Sequence, residues 1–205
     1  MIAIVAGVVV LLVGLGWFGW WKLSGGSDSS FPEARFRLTV PQQLLDGDWK
    51  LAQDRSSRQQ EELEGKWSGP NVRDLKATAA QYRSTSDGAG VLVVSGMSGR
   101  LKDPDRERAE ILRGTATAEG ATVEVSPADH TPKGSDVTVT CQVVSANRGA
   151  AKTSFPECAW GDGNTAAAVA VITAEVAKQD PRDIDLDRVA EQTLKIRSEM
   201  RRPIG

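Results

Sequence analysis

The chain has few of the residues from which active and metal sites are usually built. It has one histidine, His130, and two cysteines, Cys141 and Cys158. A lone histidine cannot complete a Cys/His zinc set, and the cysteine spacing is not C-x-x-C. A zinc site and a thioredoxin-like redox pair are therefore excluded. Aromatic residues are only 5% of the chain, so Val, Leu, Ile and Ala must build most of any core. Basic and acidic residues nearly balance, 25 against 27. The balance leaves no basic stripe for nucleic acid, which is not expected as a partner. Internal repeats and heptad arrays are also absent. Charge is missing altogether from one region, Ile2 to Trp21.

That uncharged run is rich in Val, Ile, Leu, Ala and Gly. At ~1.5 Å per residue it reaches ~30 Å, the thickness of a bilayer's hydrocarbon core. A transmembrane helix is predicted over residues 1–21. Trp17, Phe18, Trp20 and Trp21 gather at its end as half of an aromatic belt, and Lys22 can extend to the interface. An uncleaved anchor is expected rather than a cleaved signal: the run is long, no basic residue precedes it, and the small residues Ser24–Gly26 follow a bulky pair. Residues 22–32 read as a Gly/Ser-rich linker and residues 33–203 as a single domain. Lys22 lies on the wrong flank for a domain outside the cytoplasm. A basic segment ahead of Met1 would restore the positive-inside balance, which sequencing of the mature N-terminus tests.

Both cysteines fall in strand-like stretches, Asp136–Val144 and Thr153–Trp160, around the turn-rich piece from Ser145 to Ala150. A hairpin centred near 149–150 puts 141 opposite 158, with Cα atoms ~4.5 Å apart in a non-hydrogen-bonded pair, near the short limit for a disulfide. A structural disulfide Cys141–Cys158 is expected, and with it an oxidising compartment. Pro156 cannot donate to a ladder and suggests an edge or a bulge.

The rest of the chain alternates between the two periods. Ala34–Val40 reads as a strand with Phe36, Leu38 and Val40 on one face. Gln42–Leu51 reads as a short helix or turn, and Asp54–Gly65 as a polar helical surface excursion. Lys76–Ser84 and Val91–Gly96 flank Asp87–Gly90 as a hairpin. Asp103-Pro104 is an N-cap followed by proline at the first helical position, and the helix presents Ala109, Leu112 and Ala116 to the core. Ala121–Ser126 and Thr165–Ile172 read as further strands. Leu186, Val189, Ala190, Thr193, Leu194, Arg197 and Met200 form one face of a last helix, stopped by the tail Arg201–Pro203. Strands joined mostly by short turns imply an α+β fold, an antiparallel sheet with helices packed on it.

Candidate chemistry is thin, and no catalytic, cofactor-binding or metal-binding residue is assigned. Gly14, Gly16 and Gly19 match G-x-G-x-x-G but lie inside the apolar run, where no βαβ unit follows. Ser95–Arg100 has the look of a nucleophile elbow with Arg100 in place of the second glycine, and His130 is the one available histidine base. Asp162–Thr165 offers oxygens without the acidic spacing of a calcium loop. Glu61, Glu62, Glu64, Asp103, Asp105, Glu107 and Glu110 read as solvated helix faces. Trp49, Trp67 and Trp160 read as packing residues or an aromatic platform, with Trp160 over the disulfide.

Several segments together resemble a family of uncharacterised single-pass membrane proteins of streptomycete-type actinobacteria. They are the N-terminal span, FRLTVPQQLLDGDWK, QYRS, VLVVSGMSGRLKDPDRE, VTVTCQVV, FPECAWGDGNTAAAVAV and LKIRSEMRRPI. The resemblance implies an anchored, extracytoplasmic α+β domain with two cysteines and implies no activity. The expected function is a non-enzymatic binding module, held by membrane lipid through residues 2–21, with an envelope protein or component as partner. A sensor-like small-molecule-binding domain and a cell-envelope hydrolase are the alternatives.

Overall fold

The computed structural model describes residues 31–63, 70–86, 88–148 and 151–205. The expected span, its aromatic belt, most of the linker, Glu64 and Trp67 lie outside these residues. Among the described residues no helix is long and apolar enough to cross a membrane.

Ten strands and three helices are described. The strands are β1 (Phe36–Leu38), β2 (Gln43–Leu44), β3 (Trp49–Asp54), β4 (Val72–Ser84), β5 (Val91–Leu101), β6 (Ala121–Asp129), β7 (Val139–Arg148), β8 (Ala151–Gly161), β9 (Thr165–Ile172) and β10 (Arg201–Pro203). The helices are α1 (Ser56–Leu63), α2 (Pro104–Ala116) and α3 (Leu186–Met200). Eight strands form one antiparallel sheet in the order β2-β3-β4-β5-β9-β8-β7-β6. The fold is thus α+β, as the spacing of turns predicts.

Period-two alternation assigns the two faces of the sheet. Leu92, Val94, Val143, Cys158, Trp160, Ala167 and Val169 point to one face and pack with Val189, Ala190 and Ile196 of α3. Ala159 and Ala168 point to the other face and pack with Leu112 of α2. Two glycines allow close approach. A Cβ on Gly96 would overlap Ala167 on the neighbouring strand, and one on Gly161 would overlap the Pro104 carbonyl in the first turn of α2. The glycines of Ser95–Arg100 therefore serve packing inside β5.

Of the short helix or turn expected over Gln42–Leu51, the structure has the turn, with Leu44 paired to Trp49 across it, and other expectations are corrected. In that turn Leu45 and Asp46 take positive φ, and Glu199 accepts the Leu45 N–H at 2.9 Å. The helix after Asp54 is docked on the sheet. Where β3 stops pairing, Ser56 Oγ accepts the Ala79 N–H and Gln60 Oε1 accepts the Ala77 N–H, at 3.1 and 2.7 Å. Side chains of α1 thus close a strand edge that would otherwise be open. The inner stripe of α2 is Glu107, Leu112 and Thr115, whereas Ala109 is exposed. An apolar pattern alone misplaced it because the sheet beneath α2 is partly polar. The tail Arg201–Pro203 does not merely end α3. It pairs with β1, Arg37 opposite Arg202 and Leu38 opposite Arg201.

In the β7–β8 hairpin Cys141 is the register partner of Cys158. The two form the disulfide, with Cα atoms 4.0 Å apart. Pro156 lies in an interior strand opposite Val143, not at an edge. The link spans 17 residues, and closing such a loop removes about 3 kcal/mol of unfolded-chain entropy. Cys141→Ala/Cys158→Ala should lower the unfolding free energy in urea by about that amount. Wild type treated with reductant should match the double variant.

Candidate functional site

The groups singled out in the sequence are dispersed. Ser98 is buried in the interior of β5. His130 follows β6, four strand positions away in the sheet order, or ~19 Å at ~4.8 Å per strand. Its Nδ1 is 2.7 Å from Asp187, so no serine–histidine pair forms. Glu61 and Glu62 lie exposed on α1. Asp103 caps α2 by accepting the Arg106 N–H at 3.0 Å. Asp105 pairs with Arg108 and Glu110 with Arg113. Glu107 departs from the expected solvated face: it is buried, and burial raises its pKa, with Glu110 and Asp103 adding to the rise against Arg106. Trp160 is fully buried in the same core as the disulfide, and its Nε1 donates to Thr165 Oγ1 at 3.3 Å.

Asp162 and Asn164 bind protein groups. Asp162 accepts the backbone N–H groups of Asn164 and Thr165, both at 2.9 Å. It also accepts the Thr165 hydroxyl at 2.9 Å and Arg197 at 2.8 Å, and Arg201 lies 3.0 Å away. Burial opposes ionisation of this carboxyl, but those donors outweigh it and hold the pKa below the usual range. Asn164 donates to the carbonyls of Glu33 and Gly99 and accepts from Arg35 N. The pair ties the incoming chain, the β8–β9 turn and α3 together. Among the described residues no cluster of His, Cys, Asp or Glu could hold a metal.

A concave feature lies at the other end of the sheet. A cleft of about 400 Å³ opens between the start of α3, residues 173–185 and the ends of β3 and β4. Its apolar lining includes Trp49, Val171, Val176, Ile184 and Val189, and its charged groups are Asp48, Glu175, Asp185 and Arg188. Local side-chain bonds hold the wall. Thr173 Oγ1 accepts the Val176 N–H at 3.2 Å, Asp180 accepts the Arg182 N–H at 3.0 Å, and Asp185 caps α3 through the Arg188 N–H at 3.0 Å. Ile184 is buried between these caps. A Cβ on Gly90 would lie 3.3 Å from the Trp49 ring and 3.0 Å from Ser84 Cβ, so glycine there lets the ring lie flush with the hairpin. The cleft is within the size range of small-ligand sites, but most of its lining is polar or charged, with Ser84, Ser86, Thr173, Gln179 and Gln192 beside the four charged groups, and Trp49, Val171, Ile184 and Val189 reach it from the buried core. Of its residues Trp49, Pro156 and Val189 stand out in the sequence, none of them as part of a cleft, because the cleft is made by loop geometry.

A second feature missed in the sequence is a buried polar group under α2. Glu157 accepts the Thr115 hydroxyl and the Gln142 amide, both at 2.8 Å. Gln142 also donates to the Leu112 carbonyl at 2.9 Å, while its Oε1 has no hydrogen-bond partner among the described residues. Burial pushes the Glu157 carboxyl up to about 7 from 4.5, against the lowering effect of the Gln142 and Thr115 hydrogen bonds. The native state then holds a proton that the unfolded chain loses near pH 4.5. Stability from this group is complete below that pH and is lost as pH rises through about 7. Between pH 5 and 8 the urea midpoint of the wild type should fall, by the equivalent of about 3 kcal/mol at most. Glu157→Gln should flatten that profile; a profile as steep as wild type would assign the proton to another group.

No family model, curated protein or solved structure matches the chain.

Proposed function

We propose that this protein is a membrane-anchored, extracytoplasmic binding module without catalytic activity. In this reading residues 2–21 cross the membrane, residues 22–32 form the tether, and residues 33–203 form one domain that engages an envelope protein or component. The resemblance to single-pass actinobacterial membrane proteins points the same way. The observation that carries the binding reading is the cleft beside α3, a concave surface of mixed character in which Trp49, Val176 and Ile184 lie among Asp48, Glu175, Asp185 and Arg188. Its position adds weight. β5 begins at Val91 near the cleft and reaches Arg100 near the entering chain, ~30 Å further at ~3.3 Å per residue. A domain tethered through Phe31 would therefore present the cleft away from the bilayer. The Cys141–Cys158 disulfide supports an oxidising compartment, and the separation of Ser98 from His130 gives no support to a hydrolase.

A sensor for a small molecule is the second reading, favoured by the volume of the cleft. A photo-crosslinking residue at Gln192, on the cleft, with another at Ala109 on α2 as control, separates the readings in native membranes. A macromolecular adduct from position 192 alone, lost with Val176→Trp, is expected for the binding module. Equal adducts from both positions would remove the cleft from the reading. No adduct, with thermal stabilisation by a small-molecule extract that Val176→Trp abolishes, would favour the sensor. Membrane-impermeant maleimide should label Gln179→Cys in intact cells; labelling only after lysis would overturn the extracytoplasmic placement.

A further inference from the structure

We propose that the end of the domain where the chain enters seats on the anionic phospholipid headgroups of the membrane. This rests on the reading that residues 2–21 span that membrane.

The entering segment is fixed to a basic surface. Arg73 and Arg100 lie over the Phe31 ring, 5.3 and 5.7 Å from its centre, and Arg100 donates to the Pro32 carbonyl at 3.0 Å. Arg73 is the register partner of Arg100. A few residues along, Arg37 is the register partner of Arg202. Like charges directly opposite on adjacent strands are unfavourable unless solvent or a counter-ion intervenes. Two such arginine pairs lie along the one segment that leads to the tether. Of the nearby acids, Glu33 pairs with Arg35 at 3.0 Å, Asp74 with Arg100 at 3.9 Å and Asp162 with Arg197 and Arg201, and Asp136 acts on Arg201. Arg37 and Arg202 are exposed and have no ion-pair partner among the described residues. Arg73 is exposed and has the Phe31 ring.

The chain as a whole carries net charge −2, so this concentration of arginine is local. At the opposite end the charges are mixed: Asp48, Glu175, Asp185 and Arg188 line the cleft, and Lys50 and Arg83 are register partners beside it. In the reading that residues 2–21 span the membrane, the arginines lie at the end of the domain where the chain leaves the membrane. That keeps the arginines close to the headgroups, where each basic side chain strengthens association about fivefold. Guanidinium groups suit this partner because they bind phosphate in bidentate fashion.

The test uses the full chain reconstituted in vesicles of phosphatidylcholine alone or with about 30% phosphatidylglycerol, a composition chosen to give a surface potential. A fluorophore on an encoded residue at Lys102 reports approach to headgroup-labelled lipid. Expected is stronger quenching in the anionic vesicles, reversed by about 0.5 M salt, where screening shortens to a few ångström. Arg37→Gln/Arg73→Gln/Arg202→Gln should abolish the difference while keeping the wild-type urea midpoint. Arg58→Gln/Arg83→Gln/Arg182→Gln, with the same change in net charge elsewhere, should retain it. Equal quenching in both lipids, with the protein floating with both, overturns the surface and leaves the anchor standing. Loss of the difference in both triple variants also overturns the surface, because net charge alone would then account for it. A chain that floats with neither vesicle overturns the anchor, and the proposal with it.

Discussion

The register of the β7–β8 hairpin is the constraint on which the other features depend. Pairing Cys141 with Cys158 sets the parity of both strands. A slip of one residue in either strand would break the pairing and carry that strand's side chains to the opposite face. In the observed parity Trp160 and both sulfurs join the core under α3, and Gln142 and Glu157 face α2. The covalent link thus does more than close a loop. It keeps a polar pair and an apolar core on opposite sides of the same two strands. The cleft and the entering chain are then positioned by β9 and α3, which pack directly on this hairpin.

Much of the fold was legible because local signals agreed. The disulfide register, the α2 cap at Asp103-Pro104 and the inner stripe of α3 all follow from spacing and residue type. Ile196, buried in that stripe, was the one clear omission there. The errors fall where tertiary partners decide. Leu45 and Asp46 adopt positive φ in a turn whose partner, Glu199, is far along the chain. The tail after Met200 reads as a stop signal, and only its partner β1 makes it a strand. Edge strands carry similar hidden information: β6 contains Pro127 and two register shifts against β7, features that discourage pairing with another chain.

Less of the candidate sites could be read from residue types. The facing pair Gln142 and Glu157 was available once the cysteines were aligned, since each directly follows or precedes a cysteine. Reading the acids of α2 as uniformly solvated hid that face, and it also hid the burial of Glu107. The cleft had no comparable signal. Its wall is held by three short capping interactions, at Thr173, Asp180 and Asp185, and caps identify turns without saying what space they enclose. Motif resemblance misled in the opposite direction at Ser95–Arg100, where glycine serves strand packing.

The ribbon of β1 and β10 has a mechanical meaning. Force applied to the chain ahead of Phe31 first meets the arginines around that ring and the side chain of Asn164, then the short pairing of β1 with β10. Behind these stands Asp162, which grips the β8–β9 turn and both Arg197 and Arg201. The load is therefore shared among charged and amide contacts at one rim before it reaches the apolar interior.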